Sequence, residues 1–335
     1  MRLPGRLPIV SAPMAGGPST PELAAAVAGA GGFGFVAGAY LTPDTLRAAL
    51  AATRALTSEP IGVNLFVPSS PSEADEAAIA AYARELRPEA DRLGVTLGEP
   101  RWEDDAYDAK VEQLASSGVH AVTFTFGAPT PEVVARLHAG GVRVGVTVTS
   151  RVEAEVAAEA GSDLLVVQGA EAGGHQATFD AAETNRTPLL VALADVAPVG
   201  LPMIAAGGIM EAGAVGEVLG AGAIAAQVGT ALLCTPEAAT TALHRNVLLD
   251  GMFTETVVTR AFSGRWARGL ANRLAVEHPD APSGYPQVHH LTRPLRAAAT
   301  RAGDADLPNF WAGTGWRQVR AAPAAEIVRS LAAGL

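Results

Sequence analysis

Apolar residues along this chain fall in short runs of strand length. A small turn and a stretch with helical spacing follow each run. The runs are LPIVSAPM (7–14), FGFVAGA (33–39), IGVNLFV (61–67), AVTFTFG (121–127), RVGVTVTS (143–150), LLVVQG (164–169), LPMIAAGG (201–208) and AIAAQVGT (223–230). Strands apolar on both faces mark a parallel sheet covered by helices. The segments between them carry helix punctuation. TPELAAAVAGAG opens with Thr20 as N-cap and Pro21 in the first turn, and TPDTLRAALAATRAL repeats this with Thr42 and Pro43. PEVVARLHAGG, RVEAEVAAEAG and EAGAVGEVLGAG each finish on glycine. Strand and helix alternating eight times predict an α/β fold, a (β/α)8 TIM barrel; an open doubly wound sheet is the alternative, and the even spacing favours the barrel.

Two stretches exceed a minimal barrel. Residues 69–110 contain SEADEAAIAAYARELRPEADRLG, a helical insertion after the third strand, for which extra packing is the plainer reading. Residues 235–320 follow the eighth strand and carry Trp266, Trp311 and Trp316. Insertions after strand ends lie on the catalytic face of a barrel, so these are expected to form a lid or small subdomain. The expected division is a barrel core over 1–234, a lid over 235–320 and a terminal helix over 321–335 packed on the barrel.

Composition narrows the partners. A length of 335 residues suits one barrel domain, and 17 % charged residues with 49 % apolar ones argue against disorder. Net charge is −10, Lys110 is the sole lysine, and no basic cluster occurs, so nucleic acid is not an expected partner. Cys234 is the single cysteine, which allows no internal disulfide and fits a reducing compartment; its apolar surroundings read as filler rather than nucleophile. The start, MRLPGRLPIVSAPM, makes a poor signal peptide, and no long uninterrupted apolar run suggests a membrane span. A cytoplasmic protein is expected, as monomer or homodimer. His289 and His290 resemble a metal pair, but no further ligands stand at a recognised spacing, so no metal is expected.

In a barrel the chemistry lies at the C-terminal strand ends. The seventh run ends on Gly207 and Gly208, and the eighth on Gly229 and Thr230. Loops after these strands commonly bind phosphate, because glycine lets backbone N–H groups approach its oxygens. Asn64, Gln168 and Gln227 place amides at strand ends, able both to donate and to accept. Ala12, Pro13 and Met14 end the first strand, where backbone can lie against a flat ring. No P-loop is present, and FMN fits this set. His175 sits in a glycine-rich loop directly after an apolar strand. An imidazole titrating near neutrality suits a general base.

The chain resembles the nitronate monooxygenase family, once called 2-nitropropane dioxygenases, and within it the class I bacterial branch. The resemblance rests on APMAGGPSTPELAAAVAGAGGFGFVAGAYL (12–41), GVNLFVP (62–68), QGAEAGGH (168–175), AAGGI (205–209), QVGTALLCTPEA (227–238), AFSGRWARGLANR (261–273), HLTRPLRAAA (290–299) and WAGTGW (311–316). It implies an FMN-dependent barrel that oxidises alkyl nitronates, propionate 3-nitronate being characteristic, with O2 as oxidant and a carbonyl compound plus nitrite or nitrate as products. Neither metal nor nicotinamide is implied. The implied flavin contacts are Met14 and its neighbours, Asn64, Gln168, Gly173 with Gly174, Gly208, Gln227, Gly229 and Thr230; the implied catalytic histidine is His175. Arg265 and Arg268 could attract an anionic substrate, and Tyr285 and Trp316 could line the mouth. The chain departs from the family pattern at Thr314, Trp316 and Trp266; if these sit near the mouth, they would favour a substrate other than a short nitronate. Two other readings remain: an NAD(P)H-dependent FMN reductase of quinones or enoyl thioesters, and a non-catalytic flavin binder.

Overall fold

The computed structural model describes residues 3–70 and 75–335. Residues 1–2, at the start of the stretch weighed above as a leader, and 71–74, which include the first three residues of SEADEAAIAAYARELRPEADRLG, lie outside the described residues. Eight parallel strands run in sequence order around the fold: β1 (Ile9–Ser11), β2 (Gly34–Ala37), β3 (Ile61–Phe66), β4 (Ala121–Thr125), β5 (Arg143–Val148), β6 (Leu164–Gln168), β8 (Met203–Ala206) and β9 (Ala223–Val228). Each falls inside one of the eight apolar runs. β1 pairs with β9, and a parallel bridge between Val10 and Phe33 joins it to the start of β2, which closes the barrel. Register sets strand ends side by side: Gln168 lies opposite Ala206, and Ala206 opposite Gln227.

The helices are α1 (Pro21–Gly29), α2 (Pro43–Leu56), α4 (Tyr107–Ala115), α5 (Pro131–Ala139), α6 (Arg151–Glu159), α7 (Leu189–Val196) and α8 (Ala212–Gly220). Thr20, Thr42 and Thr130 cap α1, α2 and α5 through their side chains, each with proline in the first turn. The barrel has two apolar layers. Val10, Phe33, Phe35, Leu164, Val166 and Ile204 fill its interior, while Val63, Leu65, Val144, Val146, Leu165 and Val167 face the helices. Interior room depends on glycine: a Cβ on Gly62 would stand 2.5 Å from the Phe35 ring.

A second body lies over the catalytic face. The insertion supplies α3 (Glu76–Arg92), whose Ile79, Tyr82, Leu86 and Ala90 form a buried stripe. The C-terminal segment supplies α9 (Ala242–Leu249), β10 (Thr256–Thr259), β11 (Ala267–Leu270), α10 (Arg273–Glu277) and α11 (Gln287–Ala302). The α3 stripe shares one core with Phe262, Leu274, Val288, Leu291 and Leu295, and Tyr82 Oη donates to Ala261 O at 2.8 Å. The insertion is therefore a packing partner of the C-terminal segment. The last helix, α12 (Ala324–Leu331), buries Ile327, Val328 and Leu331 in the barrel's outer core.

One strand was not legible as such. Gly174–His175 form β7, which joins β10 and β11 in a small antiparallel sheet. The sequence reading had His175 in a loop; it is held by strand pairing to the C-terminal segment. No helix among the described residues is long and apolar enough to cross a membrane.

Close packing of β2 on α1 gives a test. A Cβ on Gly34 would lie 2.1 Å from Ala24 O, whereas one on Gly216, inside α8, meets nothing within 4 Å. Gly34→Ala should destabilise by about 2–3 kcal/mol through overpacking. Gly216→Ala should stabilise by about 0.5–1 kcal/mol. Chemical denaturation of both variants checks the pair; equal midpoints would contradict this packing.

Candidate active site

A cavity of about 460 Å³ opens at the C-terminal strand ends, within the range of cofactor-sized sites. Ala12, Pro13 and Met14 line it below β1, Asn64 beside β3, and Gln168, Gly173, Gly174 and His175 beside β6. Gly207, Gly208, Gln227, Gly229 and Thr230 complete it. Gly207 and Gly208 have φ of +126° and +70°, which only glycine adopts freely. The Thr230 hydroxyl accepts from Gly313 N–H at 3.0 Å, which leaves its own proton to donate.

The strand-end amides differ in what they have left. Asn64 Nδ2 donates to Thr123 O, Thr123 Oγ1 and Thr125 Oγ1 at 3.0–3.1 Å, and its Oδ1 has no partner among the described residues. The Gln227 side chain makes no hydrogen bond among them. Gln168 is committed to its own loop: Nε2 donates to His175 O at 3.1 Å and Oε1 accepts from Ala177 N–H at 2.8 Å. This amide places the histidine's main chain, a use that strand-end position alone does not reveal.

His175 is fixed on three sides. Its main chain pairs with Ala267 of β11 and is held by Gln168. Nε2 lies 2.9 Å from Ser263 Oγ, which also donates to Arg265 O at 3.3 Å. The rings of Phe126, Tyr285 and Trp311 stand 5.6–5.7 Å away. Burial, and then the Arg265 and Arg296 guanidinium charges, push His175 down to about 3. The expected titration near neutrality is therefore corrected: the ring is neutral throughout the physiological range, because burial and then those two cations disfavour its charged form.

The glycines before His175 also acquire a different reason. A Cβ on Gly173 would stand 2.5 Å from Ala312 C and Gly313 N, and one on Gly313 2.7 Å from Glu171 O. Thr314 N–H donates to Glu171 O at 3.0 Å. The two segments interlock backbone to backbone, so Gly173 is small to admit residues 312–313.

The residues proposed to meet substrate separate. Arg265 is buried: it donates to Thr178 O, its guanidinium lies 3.9 Å from the Phe126 ring centre, and it stands behind His175 rather than in the cavity wall. Arg268 is spent on Ala170 O and Thr256 Oγ1. Trp316 does not reach the mouth; it is 3 % exposed in a core with Leu233, Val247 and Phe310. Tyr285 packs beside His175 and donates to Tyr40 Oη at 3.0 Å. Trp266 Nε1 bonds Ala182 O, with Arg260 over its ring at 4.4 Å. Sequence reasoning missed Tyr40, Phe66, His244, Ser263, His289, Arg296 and Trp311, all on the cavity wall. Tyr40 and Phe66 were within reach, since Tyr40 directly follows the second apolar run and Phe66 ends β3.

This geometry defines a TIM-barrel enzyme with its site at the strand ends. The nitronate monooxygenase family model matches residues 3–334. A nitronate monooxygenase of Pseudomonas aeruginosa is 38 % identical over 97 % of this chain and 95 % of its own length. A probable nitronate monooxygenase of Staphylococcus aureus is 35 % identical over 97 % and 93 %. The crystal structure of nitroalkane oxidase from Streptomyces ansochromogenes superposes with a TM-score of 0.94 at 46 % identity, covering 98 % of this chain and 96 % of that one. FabK from Thermotoga maritima shares the fold with a TM-score of 0.75 at 26 % identity, over 98 % and 92 %. The chain belongs to the nitronate monooxygenase family of oxidoreductases.

Three cavity histidines share one electrostatic state. Burial pushes His244 down to about 4, and burial with Arg296 pushes His289 down to about 2. Their folded pKa values lie below the unfolded value near 6.5. The unfolded chain therefore binds more protons below that pH, and the stability these neutral rings retain at pH 7 is lost as pH falls. Each contributes a slope of up to about 1.4 kcal/mol per pH unit below pH ~6.5. Unfolding midpoints should drop clearly between pH 7.5 and 5; a flat profile there would contradict the assignment.

Proposed function

We propose that this protein binds FMN in the strand-end cavity and oxidises alkyl nitronates, and nitroalkanes, with O2. The observation that carries the reading is that a glycine cradle with a free hydroxyl donor, uncommitted amide atoms and a neutral, half-buried imidazole open into one cavity. Gly207, Gly208, Gly229 and Thr230 would hold the phosphate. Gln227 and Asn64 Oδ1 would meet the polar edge of the ring, and Ala12–Met14 would lie along it. FMN, when bound, supplies the electron acceptor for the nitronate and the route to O2, giving a carbonyl compound and nitrite or nitrate.

The protein's own part is binding and proton transfer. With the Ser263 proton on Arg265 O, Nε2 of His175 carries the ring proton and Nδ1 keeps its lone pair. Nδ1 is then the atom that takes the α-proton of a neutral nitroalkane. The two arginines that disfavour an imidazolium also favour the nitronate anion. A ring so hard to protonate is a weak base, so preformed nitronates should be the better substrates. Trp311, Phe126 and Tyr285 pack around the ring and help fix its orientation.

Purified protein should be yellow and release FMN on denaturation; a colourless protein unable to take up FMN would defeat the reading. His175→Asn should keep its flavin and lose about 10²-fold or more in turnover of neutral nitroalkanes, the usual worth of a positioned base. Turnover of preformed nitronates should fall less. Unchanged nitroalkane turnover would remove His175 from this role.

A further inference from the structure

Lys110 is buried with no exposure, and the chemistry above makes no use of it. From the first turn of α4 its Nζ pairs with Asp105 Oδ2 at 2.8 Å and donates to Gly38 O at 3.0 Å. Both oxygens of the same carboxylate accept from Tyr40 N–H, at 3.1 and 3.2 Å. The ion pair thus grips the main chain on either side of Ala39, just past the end of β2. A buried ion pair contributes little stability over an apolar pair of similar size. This one also keeps costly company. Tyr40, Asp105 and Ala106 have φ of +65°, +55° and +51°, left-handed backbone that side chains disfavour. Such strain is kept where it sets a functional geometry.

What it sets is the Tyr40 side chain. That ring lines the cavity, stacks on His289 at 4.5 Å with planes 7° apart, and meets Phe66 edge-on at 5.9 Å. Its hydroxyl accepts from Tyr285 Oη at 3.0 Å, and the Tyr285 ring packs against His175. Because the Tyr40 oxygen accepts, its own proton is unspent, and no described residue takes it. The Arg296 guanidinium lies in the same wall.

We propose that Tyr40 is a specificity-determining residue whose hydroxyl donates to an anionic oxygen of the substrate, and that the Lys110–Asp105 pair is the device that positions it. The substrate class is a planar oxyanion, a nitro or nitronate head, held between Tyr40 and His175. This rests on the function proposed above, and the test separates the two.

The experiment is a substitution cycle of Tyr40→Phe, Asp105→Asn and both together, each checked for flavin content. Two quantities are measured on the flavin-loaded protein: KM and kcat for propionate 3-nitronate, and the Kd of nitrate, an unreactive planar oxyanion, by calorimetry. Tyr40→Phe should raise KM and nitrate Kd about ten-fold, as for a lost hydrogen bond to a charged group, with a smaller change in kcat. Asp105→Asn should raise both in the same direction. The double variant should be no worse than the worse single one, because the carboxylate acts through Tyr40. Should Asp105→Asn not fold, Asp105→Asn with Lys110→Met removes the unpaired buried charge and must give the same KM shift. Unchanged KM and Kd in Tyr40→Phe, or additive losses in the cycle, would overturn the proposal while leaving the nitronate reading intact. Wild-type protein that binds nitrate through Tyr40 yet turns over no nitronate would sink that reading and keep this one; failure of wild type to do either overturns both.

Discussion

The site depends on a short stretch of strand pairing. Gly174 and His175 pair with Arg268 and Ala267, which ties the loop after β6 to a hairpin far along the chain. Without it His175 would ride on a glycine-rich loop, whose freedom would defeat precise placement. With it, the histidine belongs to two bodies at once, since the Gln168 side chain at the end of β6 holds its main chain from the barrel side. The facing glycines at 173 and 313 let the two backbones approach closely enough for the joint to form. The core shared by α3 and α11 then fixes the upper body, so the cavity wall is built on rigid elements.

That joint also sets the electrostatics. The segment that brings Ser263 to the imidazole brings Arg265 behind it, and α11 adds Arg296. Arg296 is half-buried, and its desolvation pushes it down to about 10, so it stays cationic at neutral pH. Its donors go to Asn309 Oδ1, Thr292 Oγ1 and His289 O, with no carboxylate partner among the described residues. Two cations and a neutral imidazole make a cavity that prefers anions, and low polarity strengthens the preference. A nitronate is such an anion, which links the histidine's state to substrate choice.

Much of the barrel was legible in the chain because its strands are apolar on both faces and its helices carry Thr-Pro starts and glycine ends. The strand-end rule also found the cavity floor, since position along a strand decides which residues reach the mouth. What escaped depends on contacts across the chain. His175 reads as an ordinary imidazole until Arg265 and Arg296 are folded behind it. Gly173 reads only as a cofactor contact, and its close approach to residues 312–313 comes from a segment far along the chain. Trp316 reads as a mouth residue because the packing of α9 and Phe310 around it leaves no periodic trace. Lys110 stood out only as the one lysine, and its hold on Tyr40 comes from main-chain geometry that composition cannot express.

The measurement that bears most directly on the central claim is anaerobic mixing of the purified flavoprotein with propionate 3-nitronate and, separately, with NADH, followed by the flavin spectrum. Bleaching of the oxidised flavin by the nitronate, with no response to NADH, is the predicted result. Reduction by NADH with indifference to the nitronate would contradict it and assign the cavity to a reductase.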